Sequence, residues 1–301
     1  MNVKRGLRRT GFHGLRLLAR LLSRSGMTGL RRHGHRIGLL HYRFNPRRRK
    51  RLAGQIMQAL DTRPGPEQAT RYLREAYRVN DRAILELLAM YSGAVNVDDI
   101  AQSCEIRRIE HLDSALSAGK GVVMLGMHMG NGVAMATHLA RRGYPMAVIY
   151  REAGKIAPNF FRDGIGSLGL EAIPAEPASV GVRRMLKALK ANRILFILMD
   201  QATKKGGIRA RFLGKDMQMP PGPAELARRT GAAVVPALLE GVEPAWCFRM
   251  GEPVWLDASR TLNDDVQFLT QIMQSHIESQ PQWWTWHQRR WSRYAFPDQS
   301  S

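Results

Sequence analysis

The sequence has little cysteine, no long apolar run and, over its first fifth, no acidic side chain at all. Cys104 and Cys247 are the two cysteines of the 301 residues. They allow one disulfide, but two reduced thiols in a cytosolic environment are expected, and no Cys/His spacing of the zinc type occurs. The longest uncharged apolar runs, 194–199 and 232–239, are strand-sized, far below the ~20 residues that cross a bilayer. The protein is therefore expected in the cytosol or on the cytosolic face of a membrane.

Positive charge is concentrated at the N-terminus. Residues 1–60 hold 16 Lys and Arg and no Asp or Glu, while the whole chain has a net charge of +21. The stretch 12–25 predicts a helix with a leucine face and with Arg16, Arg20 and Arg24 on another face, which excludes a secretory signal. Such a helix is typical of a membrane interface. A nucleic-acid tether and a solvated basic tail are the alternatives for this arm.

Short apolar runs alternate with helical stretches over the rest of the chain, at residues 61–301. Strands are expected at 121–126, 146–150, 194–199, 233–239 and 254–256. Helices are expected at 47–61, 66–91, 132–142, 160–168, 181–191, 223–229 and 263–278. This order predicts an α/β fold with a largely parallel mixed sheet flanked by helices. Residues 1–60 form a basic, amphipathic, membrane-associating arm on this domain.

Polar residues follow three of the expected strands. Ligands bind at the carboxyl ends of strands in open parallel sheets, so His128, Arg151 and Asp200 are expected to converge there. A neutral imidazole at a strand-to-helix junction can accept a proton from an attacking hydroxyl or amine. Arg151 either pairs with Asp200 or binds an anionic substrate group, and Asp200 either belongs to the site or caps a helix.

The residues next to these positions complete the predicted site. Gly130 and Asn131 lie in the turn after His128, where backbone N–H groups can hold a thioester or a developing oxyanion. Gln201, which follows Asp200, is expected to contact substrate. The segment from Phe212 to Pro223 is expected to be a loop before the next helix, either bordering an apolar slot or serving as a connector.

Several blocks resemble, in the same order, the lipid A biosynthesis acyltransferase family of the lysophospholipid acyltransferase superfamily. They lie at 121–132, 150–151, 199–201, 212–231, 235–236 and 281–287. The resemblance implies a mainly parallel or mixed sheet flanked by helices, with His128 as the catalytic histidine. It also implies acyl transfer, usually from an acyl carrier protein thioester, to a lipid hydroxyl at the cytoplasmic face of the inner membrane. No metal or redox cofactor is implied.

Two features depart from the family pattern. The family places an Asp or Glu after the four residues that follow its histidine, and here that position is Val133. Asp200 or Glu152 replaces the missing acid, or else the chemistry has changed or catalysis has been lost. Many members also begin with a spanning helix, whose place the arginine-rich helix takes here, so peripheral attachment is expected.

The sequence thus predicts an acyltransferase with His128 as general base. The donor is an acyl carrier protein or acyl coenzyme A thioester, whose negative charge suits the basic surface, and the acceptor is a hydroxyl or amine of a lipid A-like molecule. Asp200 is the second catalytic residue, and Gly130, Asn131, Arg151 and Gln201 bind substrate. The alternatives are a transferase of an unusual acyl group (aminoacyl, aryl-polyene or polyketide) and a non-catalytic lipid-binding relative. Nucleic acid is not expected as a partner, because no reading motif accompanies the basic arm.

Overall fold

A computed structural model describes residues 3–152, 157–203, 206–256 and 259–288. The helices are α1 Val3–Leu22, α2 Gly26–Arg43, α3 Pro46–Ala59, α4 Pro66–Tyr91, α5 Val97–Gln102, α6 Ile109–Ser117, α7 Gly132–Arg141, α8 Phe160–Ser167, α9 Ala178–Lys190, α10 Gly222–Thr230 and α11 Leu262–Ser279. The strands are β1 Cys104–Arg107, β2 Val122–Gly126, β3 Met146–Tyr150, β4 Glu171–Pro174, β5 Ile194–Leu198, β6 Ile208–Phe212, β7 Lys215–Met219, β8 Ala233–Gly241 and β9 Trp246–Met250.

Seven strands form the central sheet, in the order β1-β9-β8-β2-β5-β3-β4. Only the β8–β9 pair is antiparallel among these described strands. β2 is buried along its whole length, as expected for an apolar strand covered by helices on both faces. The prediction of a largely parallel mixed sheet flanked by helices is confirmed.

The register of the two central strands determines where the site lies. β2 pairs with β5 in parallel, and Gly126 lies opposite Leu198. His128 and Asp200 each follow two residues after this pair. Parallel strands end at the same edge of a sheet, so the register brings the imidazole and the carboxylate side by side.

The N-terminal helices pack against α4. α2 crosses α4 closely at two glycines: a Cβ added to Gly34 would lie 2.5 Å from the Cα of Arg82, and one added to Gly38 would lie 2.5 Å from the carbonyl oxygen of Tyr77. The sequence did not predict α2, because glycine lowers helix propensity by about 1 kcal/mol per residue. Here close packing against α4 outweighs that cost.

Leucines of α1 remain exposed to solvent. They are Leu15, Leu17, Leu18 and Leu21. Within the described part of the chain, no helix is both long and apolar enough to cross a membrane.

Two predictions about the C-terminal half are wrong. The expected strand at 254–256 is reduced to an isolated bridge between Val254 and Val234, and the strand that extends the sheet there is β9. The expected loop at Phe212 is a β-hairpin, β6–β7, whose turn residues Leu213 and Gly214 have φ of 49° and 76°. Two consecutive residues with positive φ are typical of a tight hairpin turn.

Candidate active site

The centre of the site is a hydrogen-bonded histidine–aspartate pair at the carboxyl ends of β2 and β5. The Nδ1 atom of His128 lies 2.6 Å from Oδ1 of Asp200, and the backbone N–H of His128 donates to Oδ2 at 2.8 Å. Asp200 is buried, while the His128 side chain is 20% exposed. A carboxylate at Nδ1 favours the tautomer that carries its proton there, so Nε2 presents a lone pair. The pair therefore has the arrangement of a general base with its orienting acid.

The C-terminal segment supplies a third donor to the same carboxylate. The indole Nε1 of Trp284 donates to Oδ2 of Asp200 at 2.8 Å, and the backbone of Trp284 forms an antiparallel bridge with Met129. Trp284 also packs edge-on against Phe212 and Trp286. The aromatic block 281–287 thus closes the base of the site. The aromatic block is evident in the sequence, but no sequence signal indicates its contact with Asp200.

The charge of Asp200 is stabilised despite its burial. Burial alone would raise the pKa of this carboxyl, but the His128 imidazole and the hydrogen bonds from His128 and Trp284 outweigh it. The net effect holds the pKa of Asp200 below its usual range. Asp200 is therefore ionised at neutral pH and can stabilise an imidazolium on His128.

Gln201 lies on the other side of the imidazole. Its amide Nε2 is 2.7 Å from Nε2 of His128. With the ring proton on Nδ1, this amide donates to the Nε2 lone pair. An acceptor hydroxyl that uses the same lone pair must displace the Gln201 amide, so Gln201 lies where the predicted substrate contact would be made.

The turn after His128 is held by the buried Asn131. Its Oδ1 accepts from the backbone N–H of Ala134 at 3.0 Å, which caps α7, and its Nδ2 donates to Glu86 at 3.0 Å. Both ends of the amide are thus used within the fold. Gly130 has a φ of 65°, and a Cβ there would lie 3.0 Å from side-chain atoms of Leu239 and Trp246. Their predicted substrate contacts therefore concern backbone N–H groups.

Arg151 does not pair with Asp200, so that alternative is wrong. Its Nε lies 3.7 Å from Glu176, and its side chain is exposed. Binding of an anionic substrate group remains the prediction for Arg151.

Asp200 is the carboxylate that contacts the histidine. Glu152, the other candidate for the missing acid, is exposed beside Arg151. Val133 lies half-buried in the first turn of α7, where its carbonyl oxygen accepts from the Thr137 hydroxyl. A carboxylate thus contacts His128 from a different strand end, while position 133 holds none.

The fold and the pair define an α/β enzyme with a histidine–carboxylate centre at the edge of a parallel sheet. Residues 11–293 match the model of the bacterial lipid A biosynthesis acyltransferases, and the chain belongs to that family. It is therefore an acyltransferase, as the sequence resemblance implied.

Two mycobacterial proteins show what this chain is similar to. It is 28% identical over 234 residues to the phosphatidylinositol mannoside acyltransferase of Mycobacterium tuberculosis, an alignment that covers 75% of this chain and 68% of the relative. It is 29% identical over 230 residues to the protein of the same name from Mycolicibacterium smegmatis, covering 73% and 69%.

Proposed function

We propose that the protein transfers an acyl chain from a thioester donor to a hydroxyl or amine of a lipid acceptor, with His128 as general base. The donor is an acyl carrier protein or acyl coenzyme A. The observation that carries the proposal is the 2.6 Å contact between His128 and the buried Asp200 at adjacent strand ends. A histidine held in this way takes up a proton from an attacking group, as acyl transfer to a hydroxyl requires.

The proposed reaction uses the two ring nitrogens differently. The acceptor O–H displaces the Gln201 amide from Nε2 of His128. Nε2 then takes the proton of this hydroxyl as its oxygen attacks the thioester carbonyl. Nδ1–H stays on Asp200, whose charge stabilises the imidazolium. The tetrahedral intermediate then collapses, the C–S bond breaks, and the imidazolium returns the proton to the leaving sulfur. Backbone N–H groups at Gly130 and Asn131 hold the oxyanion in this scheme.

The names of the relatives and the surface of α1 support a class of acceptor and a location for the protein. The similar mycobacterial proteins are named for acylation of phosphatidylinositol mannoside, which supports a lipid with a hydroxyl-bearing headgroup, of the lipid A or glycolipid kind. The exposed leucines of α1 are accompanied by the exposed Arg20 in α1 and Arg24 just after it, whereas Arg16 packs over the Phe160 ring. Each basic residue near an anionic leaflet contributes about 1 kcal/mol. These features support peripheral attachment to the cytoplasmic face of the inner membrane.

The contact between His128 and Asp200 also affects the two alternative functions. A transferase of an unusual acyl group and a non-catalytic relative were both suggested by the acid missing at Val133. Asp200 supplies a carboxylate to His128 from another strand, so that departure no longer favours either alternative over ordinary acyl transfer.

Label transfer tests the proposal directly. Purified protein is incubated with labelled acyl carrier protein or acyl coenzyme A thioesters and a membrane lipid extract, beside His128→Ala and a matched control, His111→Ala. His111 is a half-buried histidine on α6 whose ring nitrogen contacts the carbonyl oxygen of Met250. We expect labelled lipid from the wild type and the control, and at most a small residual rate from His128→Ala. Equal label from His128→Ala would overturn the assignment of the base, and no product with any donor would sink the proposed activity.

Restoring the acid of the family pattern at position 133 is not expected to raise the rate of acyl transfer. In Val133→Glu we expect an unchanged or lower rate, because Asp200 already holds Nδ1 of His128 and the new carboxylate must be accommodated in a half-buried position. Steady-state rates are compared with Val133→Gln, which adds the same bulk without the charge. A tenfold higher rate in the glutamate variant alone would show that Asp200 does not replace the missing acid.

A further inference from the structure

Arginines surround a surface pocket between α2, α3 and α4, apart from the histidine–aspartate pair. The pocket has a volume of about 320 Å³ and is lined by Arg43, Arg49, Arg71 and Arg74, with Tyr42 and Thr70. Guanidinium groups bind phosphate oxygens through several N–H donors at once, so four of them around a cavity of this size favour a phosphate-bearing ligand.

Protein carboxylates neutralise little of this charge. Arg71 hydrogen-bonds to Gln68 and lies 3.8 Å from Glu67. Among the residues that the structure describes, Arg43 and Arg74 make no ion pair. Both side chains are exposed, and they are therefore available to an anionic group of a ligand.

A series of aromatic contacts connects the pocket to the active site. The ring of Tyr42 lies 5.6 Å from that of Tyr77, and Tyr77 stacks on His287 at 4.4 Å. His287 follows three residues after Trp284, which binds Asp200. Arg48 also donates to the carbonyl oxygen of His287. Arg49, the next residue in the chain, lines the pocket. A molecule anchored in the pocket is thus held beside the segment that forms the base of the site.

Apolar side chains next to the pocket indicate the source of the phosphate. Leu40 and Phe44 are exposed at the end of α2, and the Phe44 side chain is 74% exposed. They alternate along the chain with Leu39, Tyr42 and Arg43, which line the pocket. Exposed large apolar groups beside cationic groups suit the boundary between headgroups and acyl chains of a bilayer.

We propose that this pocket binds the phosphate of an anionic lipid, with Leu40 and Phe44 in contact with its acyl chains. The nucleotide of coenzyme A offers the same phosphate chemistry, but it carries no acyl chain beside its phosphates to contact two exposed apolar side chains. Binding does not depend on acyl transfer. The inference that the bound lipid is the acceptor rests on the proposed function.

Calorimetric titration with a short-chain phosphatidylglycerol, kept below its micelle concentration, tests the pocket. The full-length protein is compared with Arg43→Gln/Arg74→Gln and with a control, Arg183→Gln/Arg229→Gln, which removes the same charge from a separate groove along α9 and α10. Each lost charge-assisted hydrogen bond is expected to weaken binding about tenfold, so the pocket variant should bind about a hundredfold more weakly. The control should bind as the wild type does, and circular dichroism checks that both variants are folded.

Two further titrations use coenzyme A as the ligand and the His128→Ala variant as the protein. Binding in the pocket needs no turnover, so His128→Ala should still bind the lipid saturably, and a failure of the proposed activity and a failure of the pocket give different results. Equal binding by wild type and pocket variant, equal losses in the pocket variant and the control, or no saturable binding by the wild type would each overturn the proposal. Loss of coenzyme A affinity in the pocket variant with unchanged lipid affinity would assign the pocket to the donor instead and overturn the lipid site.

Discussion

Replacing Asp200 with asparagine is expected to lower kcat by about 10⁴. The reason lies in the three donors around the carboxylate. Oδ2 accepts from the backbone N–H of His128 and from the indole N–H of Trp284, and both are fixed donors. The asparagine must therefore turn its carbonyl oxygen toward them, which places its NH₂ group against Nδ1 of His128. The imidazole then carries its proton on Nε2 and has no lone pair there for the acceptor hydroxyl.

Kinetics of single and double variants measure this effect. We expect kcat to fall in Asp200→Asn with little change in the donor KM, because the lost interaction develops with the charge on the imidazole. His128→Ala/Asp200→Asn should be no slower than His128→Ala, since two residues that act as a unit are not additive. Trp284→Phe is the control: it removes one donor but keeps the carboxylate, so about a tenfold loss is expected. A loss below tenfold in Asp200→Asn, or additive effects in the double variant, would contradict an orienting function for Asp200.

The strands at the centre of the sheet can be predicted from local sequence patterns. The segments that form β2, β3, β5 and β8 are short and apolar. Such segments are typical of parallel strands that are covered on both faces. Once these strands were predicted, His128 and Asp200 followed as residues at adjacent carboxyl ends. Their pairing also required the register and the strand order, which the sequence pattern does not contain.

The remaining parts of the site depend on contacts between distant segments. Trp284 reaches Asp200 across 84 positions, and nothing in the composition of the aromatic tail indicates which surface it covers. Arg151 leaves β3, the strand next to β5, yet its side chain pairs with Glu176 on the connection to α9. Proximity of strand ends therefore predicted its location, while the direction of its side chain depended on neighbours that only the fold provides.

A buried polar cluster behind the site also could not be predicted from the sequence. Glu86 of α4 is fully buried, and its carboxylate binds Nε of Arg82 at 2.7 Å, the indole N–H of Trp246 at 2.6 Å and the Asn131 amide at 3.0 Å. The Arg82 guanidinium lies 3.8 Å from the Trp246 ring centre. In a sequence, an Arg and a Glu four residues apart on a helix are typical of a solvated surface pair. Here α2 covers Arg82 at Gly34, and the side chains of Trp246 and Asn131 bind the Glu86 carboxylate, which links the buried pair to the site.

Removing the Glu86 carboxylate is expected to destabilise the fold strongly. Glu86→Ala removes the carboxylate that binds the buried Arg82 guanidinium at 2.7 Å and leaves it, among the carboxylates that the structure describes, only Glu243, a 47% exposed side chain at 3.6 Å. Breaking a buried ion pair in this way costs about 3–5 kcal/mol of the free energy of unfolding. The control is Glu75→Ala on the same helix, whose partner Arg78 is partly exposed, and a loss below about 1 kcal/mol is expected there. Urea titration of both variants, with equal slopes to show that the same surface unfolds, gives the two values.

The same substitution is expected to act on catalysis through Asn131. With Glu86 gone, the Asn131 amide loses its acceptor, and the cap that begins α7 three residues after His128 is held by one bond instead of two. We therefore expect a lower kcat in Glu86→Ala under conditions where circular dichroism shows the protein still folded, and full activity in Glu75→Ala. Wild-type activity together with wild-type stability in Glu86→Ala would show that this cluster holds neither the fold nor the turn that carries the histidine.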